Sequence, residues 1–147
     1  MSARTALLAP LVLVAGLTVG CGDQTDRYCD AVTDNQDRLG EIAGSGDALA
    51  LFEARDVYRD LAEEAPDDIA DDWDLVLDRI DVLEDTLDEA DVDPATYDPR
   101  DPPSGLSSQE RARIRQAADD LAAPEAVRAM DDVEQQALDV CGTPLRV

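Results

Sequence analysis

The chain has no histidine and no lysine; all 12 of its basic residues are arginine. Without imidazole, Ser-His and Cys-His nucleophile activation has no base. No glycine-rich phosphate loop is present. Aromatic residues make up only 3% of the chain. Basic residues are outnumbered by 35 acidic ones, for a net charge of −23. Such a surface repels nucleic acid, which is bound by basic side chains that displace counterions, and it repels anionic lipid headgroups as well. Carboxylates are so numerous that no pair of them singles out acid–base chemistry. No enzyme activity, catalytic residue, metal or cofactor is therefore expected. No stretch reaches the roughly 20 apolar residues that span a bilayer core. High charge with few aromatics is also the composition of disordered chains. Against that, 44% of the residues are hydrophobic and they recur periodically. The charge then serves to keep a folded domain soluble.

What is present begins with the amino-terminal segment. Arg4 and the amino terminus form a short positive region, and Ala6 to Val19 is uncharged and apolar, interrupted by Pro10. Gly20-Cys21 follows directly. A positive start, a short apolar run and a small residue before the cut are the parts of a secretory signal. Leu17-Thr18-Val19-Gly20-Cys21 resembles a bacterial lipobox, with Thr18 where Leu is usual. The expectation is a signal peptide over 1–20 and a lipid tether over 21–26, with Cys21 acylated (palmitate among the chains). The mature chain would then sit on the extracytoplasmic face of the cell membrane, or be secreted. An ordinary cleaved signal or an uncleaved anchor is the alternative. Several acyl chains on one cysteine suffice to anchor a protein, whereas one myristoyl-length chain is marginal.

With Cys21 acylated, Cys29 and Cys141 remain. The exported compartment permits disulfides, and these two bracket the domain at 27–147. Closing so long a loop is worth roughly 4–5 kcal/mol in the chain-entropy model. Two cysteines without histidine or further thiols do not make a structural zinc site.

No stretch reads as strand, and four or five segments read as helix. The first, 25–43, places Cys29, Val32, Gln36, Leu39 and Ala43 on one face, widened by Tyr28 and Ile42. Gly44-Ser45-Gly46 ends it. The second, 47–65, starts at an Asp47 cap and presents Leu51, Ala54, Tyr58, Leu61 and Ala65, with Phe52 and Val57 beside them. The third, 67–90, carries Ile69, Trp73, Val76, Ile80, Leu83, Leu87 and Ala90 at alternating spacings of four and three, the seam of a packed bundle. Residues 91–106 hold Pro94, Pro99, Pro102 and Pro103 and form an irregular loop. Ser107 and Glu110 fit a capping box for a last helical region in which Ile114, Ala118 and Leu121 face inward. Pro124 either kinks that helix or opens a new one, and Ala126, Met130, Val133, Ala137 and Val140 continue the inner face until Gly142 and Pro144. The prediction is an all-α, up-down bundle of four or five helices. In a four-rod bundle the two chain ends lie together, as a Cys29–Cys141 disulfide requires.

Two polar patterns stand apart. Asp67, Asp71, Asp74, Asp78, Asp81, Asp85 and Asp88 repeat along the third helix, opposite its seam. They read as a solvated face; divalent-cation binding is the alternative. Asp91-x-Asp93 begins like a calcium loop but lacks the glycine and closing glutamate of an EF-hand. Arg111, Arg113 and Arg115 form the only basic cluster, read as ion-paired surface or as a contact for an anionic ligand.

Arg27-Tyr28-Cys29-Asp30-Ala31, Ala65-Pro66-Asp67-Asp68-Ile69-Ala70-Asp71-Asp72-Trp73 and Ala137-Leu138-Asp139-Val140-Cys141-Gly142 look like segments of small, functionally uncharacterised lipoproteins of actinobacteria. The resemblance implies location and helical form and carries no activity onto the chain. The expected role is a non-catalytic protein-interaction module of the cell envelope, anchored through Cys21 and facing an envelope protein of cationic character. The alternative is a lipoprotein binding a small molecule or a cation. Its candidate contacts are Tyr58, Phe52 and Met130, with Trp73, read first as core of the third helix's seam, and Arg111 and Arg115 for an anionic group. The inward alanines Ala54, Ala65, Ala118 and Ala137 favour close packing over a large cavity.

Overall fold

The computed structural model describes residues 21–46 and 49–145, with only the backbone of Cys21. The expected signal over 1–20, the acylated side chain and the Asp47 cap lie outside the described residues. Five α-helices follow in order: α1 (Cys21–Ser45), α2 (Ala50–Glu64), α3 (Ala70–Glu89), α4 (Ser108–Leu121) and α5 (Pro124–Gln136), the last running into a single π turn, Ala137–Cys141. Among the described residues there is no strand. The molecule is an all-α bundle, and Cys29 and Cys141 form a disulfide with 5.1 Å between their Cα atoms.

Helix α1 begins at Cys21, four residues earlier than its apolar periodicity predicts. Asp23 in the first turn suits the positive end of the helix, and Gln24 Nε2 donates 2.8 Å to the carbonyl of Ala65. Gly46 lies just past its far end at φ +65°, where an L side chain would be strained. Helix α2 stops before Pro66, which is disfavoured inside a helix and pushes the residue before it to extended backbone; Ala65 has ψ 138°. Helix α3 closes with a Schellman-type ending. The Val92 N–H bonds the Leu87 carbonyl at 3.0 Å, Asp91 adopts φ 53°, and Val92 packs on Leu87. At α4 both halves of the capping box are made: Glu110 N donates to Ser107 Oγ at 3.2 Å, and Ser107 N donates to Glu110 Oε2 at 2.8 Å. Pro124 opens a new helix at its first turn rather than kinking the old one.

Helix α1 packs on α2, α2 on α3, and α3 on both α4 and α5; the π turn returns to α1. Helices α4 and α5 touch each other only sparingly, so they act as one broken rod laid along α3. The result is four rods, up-down. At the disulfide end, Tyr28 and Val32 of α1, Val57 and Leu61 of α2, Trp73 of α3, Val133 of α5 and Leu145 of the tail form one buried cluster. Gln36 Nε2 donates 3.2 Å to the Pro144 carbonyl and holds that tail. Interhelical ion pairs brace the rods: Arg27 with Glu64 at 2.9 Å, Arg59 with Asp81 at 2.7 Å, Arg55 with Glu84, and Arg113 with Glu89 at 3.2 Å. These pairs are mostly exposed, and each contributes at most about 1 kcal/mol.

Several facing assignments differ from the sequence periodicity. Ala43 is exposed, while Tyr28, expected at the margin of its face, is fully buried. Val57 is fully buried, again at the centre rather than the margin. In α4 the inner alanine is Ala117, and Ala118 is exposed. Val140 is 49% exposed, because the π turn accommodates an extra residue. The inner position after Ala137 thereby falls on Cys141, which packs against the core.

Candidate functional site: an open apolar groove

The loop over 91–106 is built of short turns. Asp93 Oδ1 accepts from Ala95 N at 2.9 Å and Asp98 Oδ1 from Arg100 N at 2.8 Å, the Asx-turn role of short carboxylates. Val92 and Leu106 are buried at its two ends, and Tyr97 packs inward beside them. The loop is therefore pinned to the far end of the bundle, where it forms a wall.

Two adjoining depressions open beside it, the first reaching back to the disulfide-end cluster through Tyr58 and Met130 and the second at the loop end. The first, about 280 Å³, is lined by Leu51 and Tyr58 of α2, Val76 and Ile80 of α3, Leu121 of α4, and Ala126, Val127, Met130 and Asp131 of α5. The second, about 400 Å³, is bounded by Leu51 and Phe52 of α2, Leu83 and Leu87 of α3, Ile114, Arg115, Ala118 and Asp119 of α4, and Pro94, Tyr97 and Pro99 of the loop. Leu51 belongs to both, which joins them into one trough. The floor is the α3 seam, and the walls are α2 on one side and α4–α5 on the other. No α1 residue lines either part. The second part lies within the ordinary ligand-site range of roughly 300–1,000 Å³.

The sequence-nominated contacts divide. Tyr58, Met130 and Phe52 line the groove, and Arg115 stands at the edge of its larger part. Trp73 is core, as its place in the α3 seam predicts, and not a groove contact: it is fully buried in the disulfide-end cluster, with Tyr58 5.5 Å away, centroid to centroid. Arg111 lines neither part. Of the three clustered arginines, Arg113 is ion-paired, and Arg111 and Arg115 make no ion pair among the described residues. Ala118, counted as a close-packing position, is instead an exposed wall residue of the groove. The periodicity missed Leu51, Leu83, Ile114 and Val127 as lining. Their signal was present, since all are apolar and three sit on expected inner faces, but the sequence does not say where an inner face is left uncovered.

Asp72 is the one carboxyl held above its ordinary range among the described residues, chiefly by burial and then by Asp132 and Asp71, and it lines neither part. Tyr28 is pushed up, mainly by burial, against an opposing contribution from the Trp73 indole N–H; both polar atoms are buried without an aligned partner. Of the aspartate stripe, Asp71, Asp74, Asp78, Asp85 and Asp88 lie on the exposed face of α3 and Asp67 in the turn before it, while Asp81 is half-buried against Arg59. Among the described residues, no three His, Cys, Asp or Glu side chains are grouped so as to hold a metal ion. No described helix is long and apolar enough to cross a membrane.

Comparison with protein-family models gives no match. Nor does comparison with curated proteins or with solved structures.

Proposed function

We propose that this chain is a lipid-anchored, extracytoplasmic protein-interaction module that binds its partner through the α2/α4–α5 groove and performs no catalysis. One observation carries the reading: an apolar trough lies open between α2 and α4–α5, running from beside the disulfide-end cluster to the loop end. Exposed contiguous apolar surface on a soluble domain marks an interaction site more often than not. The tether would attach at the start of α1, beside the end of α2, and the larger part of the groove, walled by the loop, lies toward the other end of the bundle. Cationic partners are favoured by the chain's net charge of −23 through electrostatic steering.

A second reading rests on Arg115. A guanidinium without an ion pair among the described residues, beside an apolar cavity of about 400 Å³, suits a small amphiphile with an anionic head. The surrounding acidic field opposes such a ligand, which is why the first reading is preferred.

A photocrosslinking residue at Val127 or Ala118, both on the groove, is compared with one at Asp78 on the solvent face of α3, in the protein's own envelope. The expected result is one recurrent protein adduct from the groove positions and none from Asp78. A small added mass at the groove would establish the amphiphile reading instead. Equal labelling from all three positions would remove the groove from either.

A further inference from the structure

We infer that the Cys29–Cys141 disulfide is a redox latch, whatever the groove binds. Closed, it holds the last helical turn in π register and the tail against the core; reduction by a dithiol resets that turn to α and frees the tail. The π turn is the first observation behind this. Such turns account for well under 1% of residues in folded proteins, and they occur mostly as single turns, frequently at functional sites. The one π turn among the described residues, Ala137–Cys141, ends on a bonded cysteine. Its residues include neither proline nor glycine, so no local breaker accounts for it. The apolar spacing of Ala126, Met130, Val133, Ala137 and Val140 instead continues an α-helix. In α register the step of three from Ala137 brings Val140 onto the inner side. The more loosely wound π turn stops it short: Val140 is 49% exposed, while Cys141 packs against the core. An apolar side chain is thus left half in water where the disulfide is made. With the bond open, α register recovers that burial and is favoured.

The same turn sets where the tail leaves. Gly142 closes it in the left-handed region at φ +67°, its N–H donating to the Leu138 carbonyl at 3.0 Å. Beyond it, the Pro144 carbonyl accepts from Gln36 of α1, and Leu145 is 1% exposed in the cluster that holds Tyr28 and Trp73. Rewinding the turn changes the direction in which Gly142 leaves, so both anchors are lost together. The bond is within reach of a reductant: both cysteines are partly exposed, and Asp30, Val140 and Gly142 beside them are exposed. A thiolate of the dithiol attacks one sulfur and forms a mixed disulfide, and the other cysteine leaves as thiolate and takes up a proton. The second thiol of the reductant then displaces the remaining cysteine, which is protonated in turn. Two electrons and two protons pass to the chain, and the dithiol becomes a disulfide.

The test compares the oxidised chain from residue 21 onward, carrying Cys21→Ser, with the same chain treated with dithiothreitol without denaturant. Circular dichroism is expected to show a folded bundle in both. Nuclear Overhauser contacts from the Val140 methyl groups to the Tyr28–Trp73 cluster should appear only on reduction. A carboxypeptidase should remove Leu145 from the reduced chain at least about tenfold faster, since cleavage follows the population of the open form. Val140→Gln should lower the melting temperature of the oxidised chain by less than about 2 °C, as exposed substitutions do, and that of the reduced chain by at least about 4 °C. Cys29→Ser with Cys141→Ser should match the reduced chain with or without dithiothreitol, and reoxidation of the wild type should restore the first state. A bond that resists dithiothreitol until urea is added, or a chain that unfolds on reduction, is a staple and overturns the latch. So does a reduced, folded chain in which Val140 stays exposed and Leu145 stays protected, or a Val140→Gln effect of equal size in both states.

Discussion

The two halves of this bundle are built from the same kinds of residue and finished differently. At the disulfide end four rods and the carboxy-terminal tail enclose Tyr28, Trp73, Val133 and Leu145, each of which is no more than 1% exposed. At the loop end the same α3 seam continues, but Leu83 is only partly buried and Leu51 and Phe52 line an open trough. Apolar periodicity alone does not distinguish them. What differs is how fully the surroundings close: Val76, Ile80 and Leu87 of the seam are buried at this end too, while Leu83 and the α2 residues Leu51 and Phe52 keep part of their surface open. Complete closure makes core, and half-exposed apolar walls over a buried floor make a candidate binding surface.

Breaking the staple is the largest expected effect. Cys29 and Cys141 are separated by 112 residues, and constraining so long a loop in the unfolded chain is worth roughly 4–5 kcal/mol. Replacing both by Ser should therefore cost a large share of the about 5–15 kcal/mol that typical domains possess. Thermal unfolding of the oxidised wild type and the double variant measures it. Hydrogen exchange would localise the loss: amides of α1 and the π turn should lose protection before those of α3 and α4. Simultaneous loss across the whole chain would show that the two halves do not behave as separate units.

Side-chain truncation sharpens the same contrast. Trp73→Ala removes a fully buried ring and should cost about 3–5 kcal/mol. Leu83→Ala, on the half-covered stretch of the same helix, should cost about 1 kcal/mol, since only part of its surface leaves water on folding. Equal costs from urea titration would mean that the groove is closed in solution.

Much of this was legible in the sequence. Four or five helices, the stop at Pro66 and the Ser107–Glu110 capping box follow from local chemistry, and the Cys29–Cys141 pairing from setting Cys21 aside; the structure has five helices, the stop, the box and the disulfide. The misassigned faces have physical causes. The π turn adds a residue that no fixed spacing anticipates, so Val140 is exposed and Cys141 turns inward. Ala117 and Ala118 are adjacent small residues, and only packing decides which is inside. Tyr28 carries a hydroxyl that suggests a margin, yet its ring is fully buried. The groove was half legible. Tyr58, Phe52 and Met130 were nominated because they are large and sit on inner faces, but Trp73 shares both properties and is core. Separating them requires knowing where the surroundings close fully, which depends on tertiary packing.

A smaller effect concerns the end of α3, where the loop wall begins. Asp91 occupies the left-handed region at φ 53°, a conformation that costs most L residues roughly 1–2 kcal/mol and glycine nothing comparable. Asp91→Gly should raise stability by about 0.5–1 kcal/mol, and Asp91→Val should lower it. If both shift the melting temperature the same way, the Schellman-type ending is not what fixes the loop entry.

The last effects are ionic, and their opposite signs divide the two halves again. At the loop end, hydrogen bonds from Ser107 hold the Glu110 carboxyl below its ordinary value of 4.5. Its contribution is present in full above that value and is lost as pH falls through the lowered one. At the disulfide end, burial and the neighbouring Asp132 and Asp71 hold Asp72 above its ordinary value of 3.8. There the ionised form is penalised in the fold, so the penalty is present above the raised value and is released as pH falls through it toward 3.8. Asp72→Asn should therefore raise the melting temperature at neutral pH, and its advantage should vanish on acidification below the ordinary aspartate value. Ser107→Ala should do the reverse, lowering stability by about 1 kcal/mol at neutral pH and by less once Glu110 is protonated. Melting curves of the two variants and the wild type across the acid range measure both slopes; slopes of the same sign would mean that the covered end treats a carboxylate no differently from the open one.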